Sequence, residues 1–422
     1  MNTFRNERLD VTVKSFTHTS GLTVKLCPKP DFGNAYAMIS AKFGSDNNRF
    51  FTEEGEVTLP DGTAHFLEHK LFQNKDGTDA FELFARTGAN ANAYTSNEKT
   101  SYLFSCTDRF RENLSILLGF VFEPYFTEES VQKERGIIGQ EIAMYRDDPS
   151  WQALLGVLGG LYQNHPLRLD VAGSEESIAQ ISPSMLYLCH RTFYRPENMV
   201  LTVVGNFDEQ DVFTVCDEKC RTVPPLVVRQ PEISEPPEIA REVTKQTMDL
   251  SIPYFQIGFK LDSRSPRQNQ SDTDTAEMLA DLLAGDASPL YRRLYDEGLI
   301  NDAFDSEVFS GDNYFSLLFS GESHEPQKVQ KALLEEILRV KRDGFSDEDF
   351  IAARNALYGR YVRLFDSLSA TAEWITDCHF SSVGVFDVID RLENARQSDA
   401  KALLARLLPE HCALSVIEPK GV

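Results

Sequence analysis

Paired runs of apolar residues set the frame of this sequence. Ala35 to Phe43 and Pro253 to Leu261 are strand-length runs dominated by apolar side chains. Tyr102-Leu103-Phe104-Ser105-Cys106 has a counterpart in Leu317-Leu318-Phe319-Ser320-Gly321. Phe126-Thr127-Glu128-Glu129-Ser130-Val131 likewise resembles Phe345-Ser346-Asp347-Glu348-Asp349-Phe350. In that last pair a hydroxyl residue follows Phe and acidic residues come next, which predicts a helix N-cap at Thr127 and at Ser346. Leu114, Leu117, Leu118 and Val121 recur at helical spacing and predict a helix with one buried face. The order strand, helix, strand, long helix thus recurs in each half. It predicts an α+β fold of two related α/β domains that arose by internal duplication.

The 422 residues are too many for one ordinary core. Proline marks the division: Val223-Pro224-Pro225, then Pro231, Pro236 and Pro237 among acidic and Ser residues, read as an extended linker. The predicted organisation is a first domain over 1–222, a linker over 223–240 and a second domain over 241–422. Apolar residues make up 41% and charged residues 25%, an ordinary globular composition. No run approaches the ~18 apolar residues of a membrane span, and Met1 to Lys14 lacks the apolar stretch of a signal peptide. The seven cysteines are odd in number and irregularly spaced, which predicts reduced thiols and a cytoplasmic setting. Cys216 and Cys220 read as two thiols on one helix face. A formal net charge of −23 argues against nucleic acid as a partner and is compatible with attraction of basic or unfolded peptides.

The candidate chemistry lies in Pro60 to Phe72, which contains His65-Phe66-Leu67-Glu68-His69. Asp61 or Thr63 would cap a helix beginning here. His65 and His69, four apart, share one helix face and can grip one zinc ion. Glu68 borders that face and can reach a metal-bound water as a general base without being a ligand. This is the inverted His-x-x-Glu-His order. Catalytic zinc needs a third protein ligand, and Glu134 to Glu141 supplies candidates. These two carboxylates lie two helical turns apart and face one way. Such a helix offers one as ligand and the other as an orienting group, with Ile137, Ile138 and Ile142 as core contacts. With 8 His in 422 residues, His-x-x-Glu-His arises by chance in about one chain in a hundred of this length. An amphipathic helix with exposed His and Glu is the competing explanation, so the motif gains weight only from the features that follow it in order.

At these residues the sequence resembles the pitrilysin family of zinc metallopeptidases, which includes insulin-degrading enzyme and the mitochondrial processing peptidase. His65 to His69 is similar to that family's zinc helix, Glu141 to its distal zinc ligand and Glu134 to its second acidic residue. Gly88-Ala89-Asn90-Ala91-Asn92-Ala93-Tyr94-Thr95 resembles the family's substrate-binding strand, which implies that Asn92, Ala93 and Tyr94 receive a peptide by strand addition. His165-Pro166 and Phe193 to Met199 also match. The resemblance covers nearly the whole chain. It implies two facing α/β domains with zinc in the first, and a short-chain protein in which two subunits enclose a chamber.

One departure matters. Family members usually carry Arg and Tyr in the second half, in a stretch such as Leu-Arg-Glu-x-x-Gly-Leu-Ala-Tyr. Alignment on Leu294 and Gly298-Leu299 puts Tyr295 at the Arg place and Asn301 at the Tyr place. Arg292 and Arg293 lie earlier on the same helix. The implied partner is either a second copy of this chain, with Tyr295 and Asn301 as substituted donors, or a zinc-less paralogue that supplies the Arg/Tyr pair. The competing function is a non-catalytic or weakly active subunit of a peptidase heterodimer. A zinc deaminase is disfavoured, because the Pro-Cys-x-x-Cys that it needs is absent.

Overall fold

The computed structural model describes residues 1–224 and 226–420. Pro225 of the Pro-rich run and the last two positions of the 241–422 stretch lie outside the described residues. The chain divides into two compact units. The first holds Met1–Ile142, Asp170–Glu232 and Val362–Phe380; the second holds Ala143–Leu169, Ile233–Tyr361 and Ser381–Val422.

Fourteen strands are described: β1 (Asn2–Asn6), β2 (Val11–Thr17), β3 (Thr23–Pro28), β4 (Ala35–Ala41), β5 (Arg49–Thr52), β6 (Gly55–Thr58), β7 (Asn90–Thr95), β8 (Thr100–Cys106), β9 (Met199–Gly205), β10 (Val243–Met248), β11 (Tyr254–Lys260), β12 (Asp305–Gly311), β13 (Tyr314–Glu322) and β14 (Cys412–Pro419). The first unit builds a seven-stranded sheet in the order β1-β2-β3-β9-β4-β8-β7 and a small β5-β6 hairpin. The second builds a five-stranded sheet in the order β10-β14-β11-β13-β12. Each sheet is antiparallel except at one pair, β3 with β9 and β10 with β14. Reading inward from those pairs, β9-β4-β8-β7 matches β14-β11-β13-β12 strand for strand. The duplication expected from the paired runs is therefore present in the sheet order, with β1 and β2 as additions to the first unit.

The first five α-helices are α1 (Thr63–Leu71), α2 (Ala80–Thr87), α3 (Phe110–Phe122), α4 (Glu128–Arg146) and α5 (Pro149–Leu161). Leu114, Leu117, Leu118 and Val121 form the buried stripe of α3, as their spacing predicts. Thr127 Oγ1 accepts from Ser130 N at 3.1 Å at the start of α4, and Ser346 Oγ accepts from Asp349 N at 3.0 Å at the start of the helix Asp347–Leu364. Both expected caps are in place.

The units are not simple halves of the chain. α5 belongs to the second unit, where Val157, Leu158 and Leu161 are buried and the helix packs on β14 and β11. Gly258 makes room for it: a Cβ there would lie 2.8–2.9 Å from Leu161, Val157 and Leu318. The helix Leu368–Phe380 belongs to the first unit, where it packs on β9 and β4. That cover accounts for the unbroken burial of β9, since a strand hidden on both faces shows no alternation. The two exchanged segments occupy equivalent places in the repeat, each following a long helix. The Pro-rich run is pinned: Phe51 and Arg229 exchange both backbone hydrogen bonds, and Glu235 accepts from the backbone N–H groups of Gln163, Asn164 and His165.

The start of α1 differs from expectation, because neither Asp61 nor Thr63 caps it. Asp61 Oδ1 accepts from Asn48 Nδ2, and Thr63 Oγ1 donates back to Pro60 O. The N-cap is Gly62, with φ +87°. A Cβ at Gly62 would sit 2.4 Å from Ala172 O, and one at Gly173 2.4 Å from Asp61 O. Close backbone contact with 172–173 thus replaces side-chain capping, and only glycine admits both the dihedral and the approach. Gly62→Ala is expected to lower the stability of the first unit by about 2 kcal/mol or more. A shift of the urea midpoint checks this; an unchanged midpoint would show that the contact is dispensable.

Candidate metal centre

α1 carries the two histidines on one face, and its other faces are spent on packing. Phe66 and Leu67 are fully buried in the core of the first unit. That fixes the roll of the helix and directs His65 and His69 at α4. There, Ile138 and Ile142 are buried and turn Glu134 and Glu141 toward the histidines. Ile137, expected in the core, is instead 47% exposed. Its side chain falls on the flank of α4, away from the Ile138–Ile142 stripe.

His65 Nε2 lies 3.7 Å from Glu141 Oε1, and His69 Nε2 lies 3.4 Å from Glu141 Oε2. The imidazole ring centres are 4.7 Å apart and the rings are inclined by 65°. One ligand atom from each of the three side chains falls within 4.8 Å of the others, and among the described residues no other group of His, Cys, Asp or Glu does so. The donor set suits a catalytic zinc ion, with two neutral imidazoles, one carboxylate and a fourth place left for water. His69 is oriented for that role. Its Nδ1 donates to Glu134 Oε1 at 3.2 Å, so that Nε2, which faces Glu141, is the nitrogen that would serve a metal ion once its own proton is lost. Burial works to lower the His69 pKa, but its hydrogen bonds to Glu134 and Glu141 carry it up to about 10. Burial, with His69 beside it, pushes His65 down to about 4. A metal ion entering here would displace the His69 proton. His65 Nδ1 is buried without a hydrogen-bond partner among the described residues, so no protein group selects its tautomer.

Glu68 is buried beside this cluster and its Oε2 accepts from Thr95 Oγ1 at 2.7 Å. Burial raises its pKa to about 7, against the pull of Thr95 and His69. A divalent cation alongside would draw that value down again. Thr95 ends β7, the edge strand of the sheet, so the motif helix and the open edge meet at this hydrogen bond. Along β7 the side chains alternate. Asn92 is exposed and its Oδ1 accepts from Ala93 N at 2.9 Å. Tyr94 leaves the strand on the same face as Asn92, opposite to Thr95, and there its hydroxyl donates to Glu373 Oε1 at 3.1 Å and Lys99 lies over its ring. Tyr94 therefore offers β7 its backbone, while its side chain is engaged with the helix Leu368–Phe380.

Tyr295 and Asn301 belong to the second unit. Tyr295 is exposed and stacks on Tyr291, with ring centres 6.0 Å apart. Asn301 is held at both ends of its amide, donating to Glu322 Oε2 at 2.8 Å and accepting from Ala303 N at 3.0 Å. Arg292 and Arg293 are exposed on the same helix as Tyr295. All seven cysteines are unpaired and buried, Cys216 and Cys220 among them at the end of the helix Glu209–Lys219. The sequence reading passed over two residues. Thr95 is the last residue of the strand motif and could have been singled out from it. Lys70, buried next to His69, carries no sequence signal, because Lys at such a position ordinarily points to water.

The chain matches the family model described as insulinase (peptidase family M16) over residues 56–175, and that described as the peptidase M16 inactive domain over residues 180–357. A Bacillus subtilis protein named as an uncharacterized zinc protease, YmfH, is 35% identical over 408 residues, or 94% of each chain. The solved structure of an M16-like peptidase from Alicyclobacillus acidocaldarius is 31% identical and superposes with a TM-score of 0.93, covering 97% of this chain and 99% of that one. Pitrilysin shares the fold at a TM-score of 0.76 and 17% identity; 99% of this chain matches 46% of it. No helix among the described residues is long and apolar enough to cross a membrane.

One zinc ion per chain is the expected content after equilibration and desalting. Glu141→Gln, which removes the carboxylate charge from the donor set, is expected to weaken retention by about 10–100-fold in a chelator competition. Equal retention by the variant would remove Glu141 from the ligand set.

Proposed function

The chain belongs to the insulinase (M16) family of peptidases, and on that premise we propose that it is a zinc-dependent endopeptidase hydrolysing short or unfolded peptides. The observation that carries this reading is the place of Glu68. It sits beside a three-donor cluster without being one of its donors, held by Thr95. A structural zinc site closes its coordination with four protein ligands and has no use for such a base.

Zinc held by His65, His69 and Glu141 would polarise the scissile carbonyl and lower the pKa of the attacking water. Glu68 takes a proton from that water and delivers it to the leaving amide nitrogen. Thr95 occupies Glu68 Oε2, which leaves Oε1 for the proton. Asn92, Ala93 and Tyr94 line the edge of the sheet, where an extended peptide adds as a further strand through main-chain hydrogen bonds. Strand addition requires an extended chain, so unfolded segments bind and folded domains do not.

The Arg/Tyr pair that would meet the developing oxyanion is missing from the places where the family resemblance puts it. Tyr295 and Asn301 stand where relatives carry Arg and Tyr, and both ends of the Asn301 amide are already engaged. The reading therefore includes a dimer in which a zinc-less paralogue supplies the Arg/Tyr pair. It is supported by the twofold length of pitrilysin relative to this chain. A homodimer using Tyr295 is the competing arrangement.

Glu68→Gln is expected to retain zinc and lose about 10²–10⁴-fold in kcat for an unstructured peptide. Zinc retention with undiminished cleavage would overturn the role of Glu68. Absence of cleavage by the unaltered protein under every pairing would favour a non-catalytic subunit. Mixing the chain with a co-encoded zinc-less paralogue is expected to raise cleavage by at least tenfold. Full activity of the chain alone would eliminate the heterodimer.

A further inference from the structure

Lys70 follows the metal-facing His69 directly, yet it is 2% exposed. A buried ammonium is costly unless paired, and an apolar side chain of similar length would fill the same space at lower cost. Packing therefore does not explain a lysine here. Its Nζ donates to Gln73 Oε1 at 2.8 Å and to Glu134 Oε2 at 3.3 Å. The other oxygen of the same carboxylate accepts from His69 Nδ1. The three side chains form one line: Lys70, Glu134, His69.

The charges around the site sharpen the point. Glu68, Glu134 and Glu141 bring three carboxylates to two imidazoles, and Lys70 is a buried cation bonded to one of them. Glu134 and Glu141 share a face of α4, so nothing in the helix prevents both from turning to one metal ion. The bond from Lys70 commits one oxygen of Glu134, and the bond from His69 commits the other.

Resting on the zinc reading above, we propose that Lys70 is a positioning residue: it pins Glu134 as the hydrogen-bond partner of His69 and keeps that carboxylate out of the metal's own donor set. Two consequences follow, and they point the same way. Removing Lys70 makes the site one charge more negative, and it frees a second carboxylate to reach the ion. Both tighten metal binding, and both make the bound ion a weaker Lewis acid. Lys70 thus trades affinity for reactivity.

The test is zinc affinity, measured by chelator competition on the full-length chain, with thermal midpoints recorded alongside. Lys70→Met is expected to bind zinc on the order of tenfold more tightly than the unaltered chain, with an unchanged or higher midpoint. Lys70→Arg, which keeps the cation, is expected to restore the original affinity. In the Glu134→Gln background the Lys70→Met substitution is expected to shift the affinity clearly less, because the carboxylate that Lys70 restrains is gone and only the loss of its charge remains. Where activity is measured, kcat should fall while KM holds. Equal or weaker zinc binding by folded Lys70→Met overturns the proposal, as does an equal shift with Glu134→Gln already present. Lys70→Gln serves the same comparison if the Met variant does not fold. An unaltered chain that takes up no zinc would sink the metal site itself, a result distinct from failure of Lys70 alone.

Discussion

Charge held out of water must have a partner, and that requirement organises this protein around α1 and α4. Glu134 is the meeting point. Burial works against its ionised form, yet His69 and Lys70 hold it below the usual carboxylate range. Through it the two helices are locked at the turn where His65, His69 and Glu141 converge. A carboxylate answering an imidazolium and an ammonium at once fixes the rotamers of all three, which loose packing could not do.

The rest of the first unit serves that junction. Phe66, Leu67, Ile138 and Ile142 set the roll of the two helices by burying the faces beside the metal-facing ones. Gly62 lets the chain enter α1 against the backbone of 172–173, so the first turn is held by contact rather than by a cap. Thr95 couples the edge strand to Glu68, and Tyr94 ties the same strand to the helix Leu368–Phe380. Base and strand edge are thus positioned by consecutive residues whose side chains leave the sheet on opposite faces.

Among the described residues, the candidate metal cluster lies in only one of the two repeats. The sheet order recurs, with the same parallel pair and the same antiparallel run after it. What differs is what the helices present. In the first unit two helices bring His and Glu together. In the second, the buried polar residues of the helix Pro266–Ala284 are committed to structural bonds, as Asp274 is to Arg391 and Asn269 to the carbonyls of Gly311 and Tyr314. The repeat fixes a scaffold, and the site depends on a few side chains set upon it.

The sequence by itself indicated the paired strand runs, the helix caps at Thr127 and Ser346, the duplication and the His65, Glu68 and His69 motif with Glu141 as its companion. Most of these are local: periodicity, capping chemistry and the spacing of His65, Glu68 and His69 are written within one or two turns of chain, while the duplication and Glu141 rest on the order of such local signals along the chain. Only the tertiary structure decided how segments are shared between units. A helix as uniformly apolar as α5 shows that it is buried without showing against which sheet. The same holds for Gly62, whose reason is a carbonyl 110 residues away, and for Ile137, whose exposure depends on how α4 rolls. Lys70 is the clearest case. Nothing in the order of residues separates a lysine that reaches water from one that turns inward to a glutamate. That choice is made by the distant carboxylate it meets, and it exists only once α1 and α4 lie side by side.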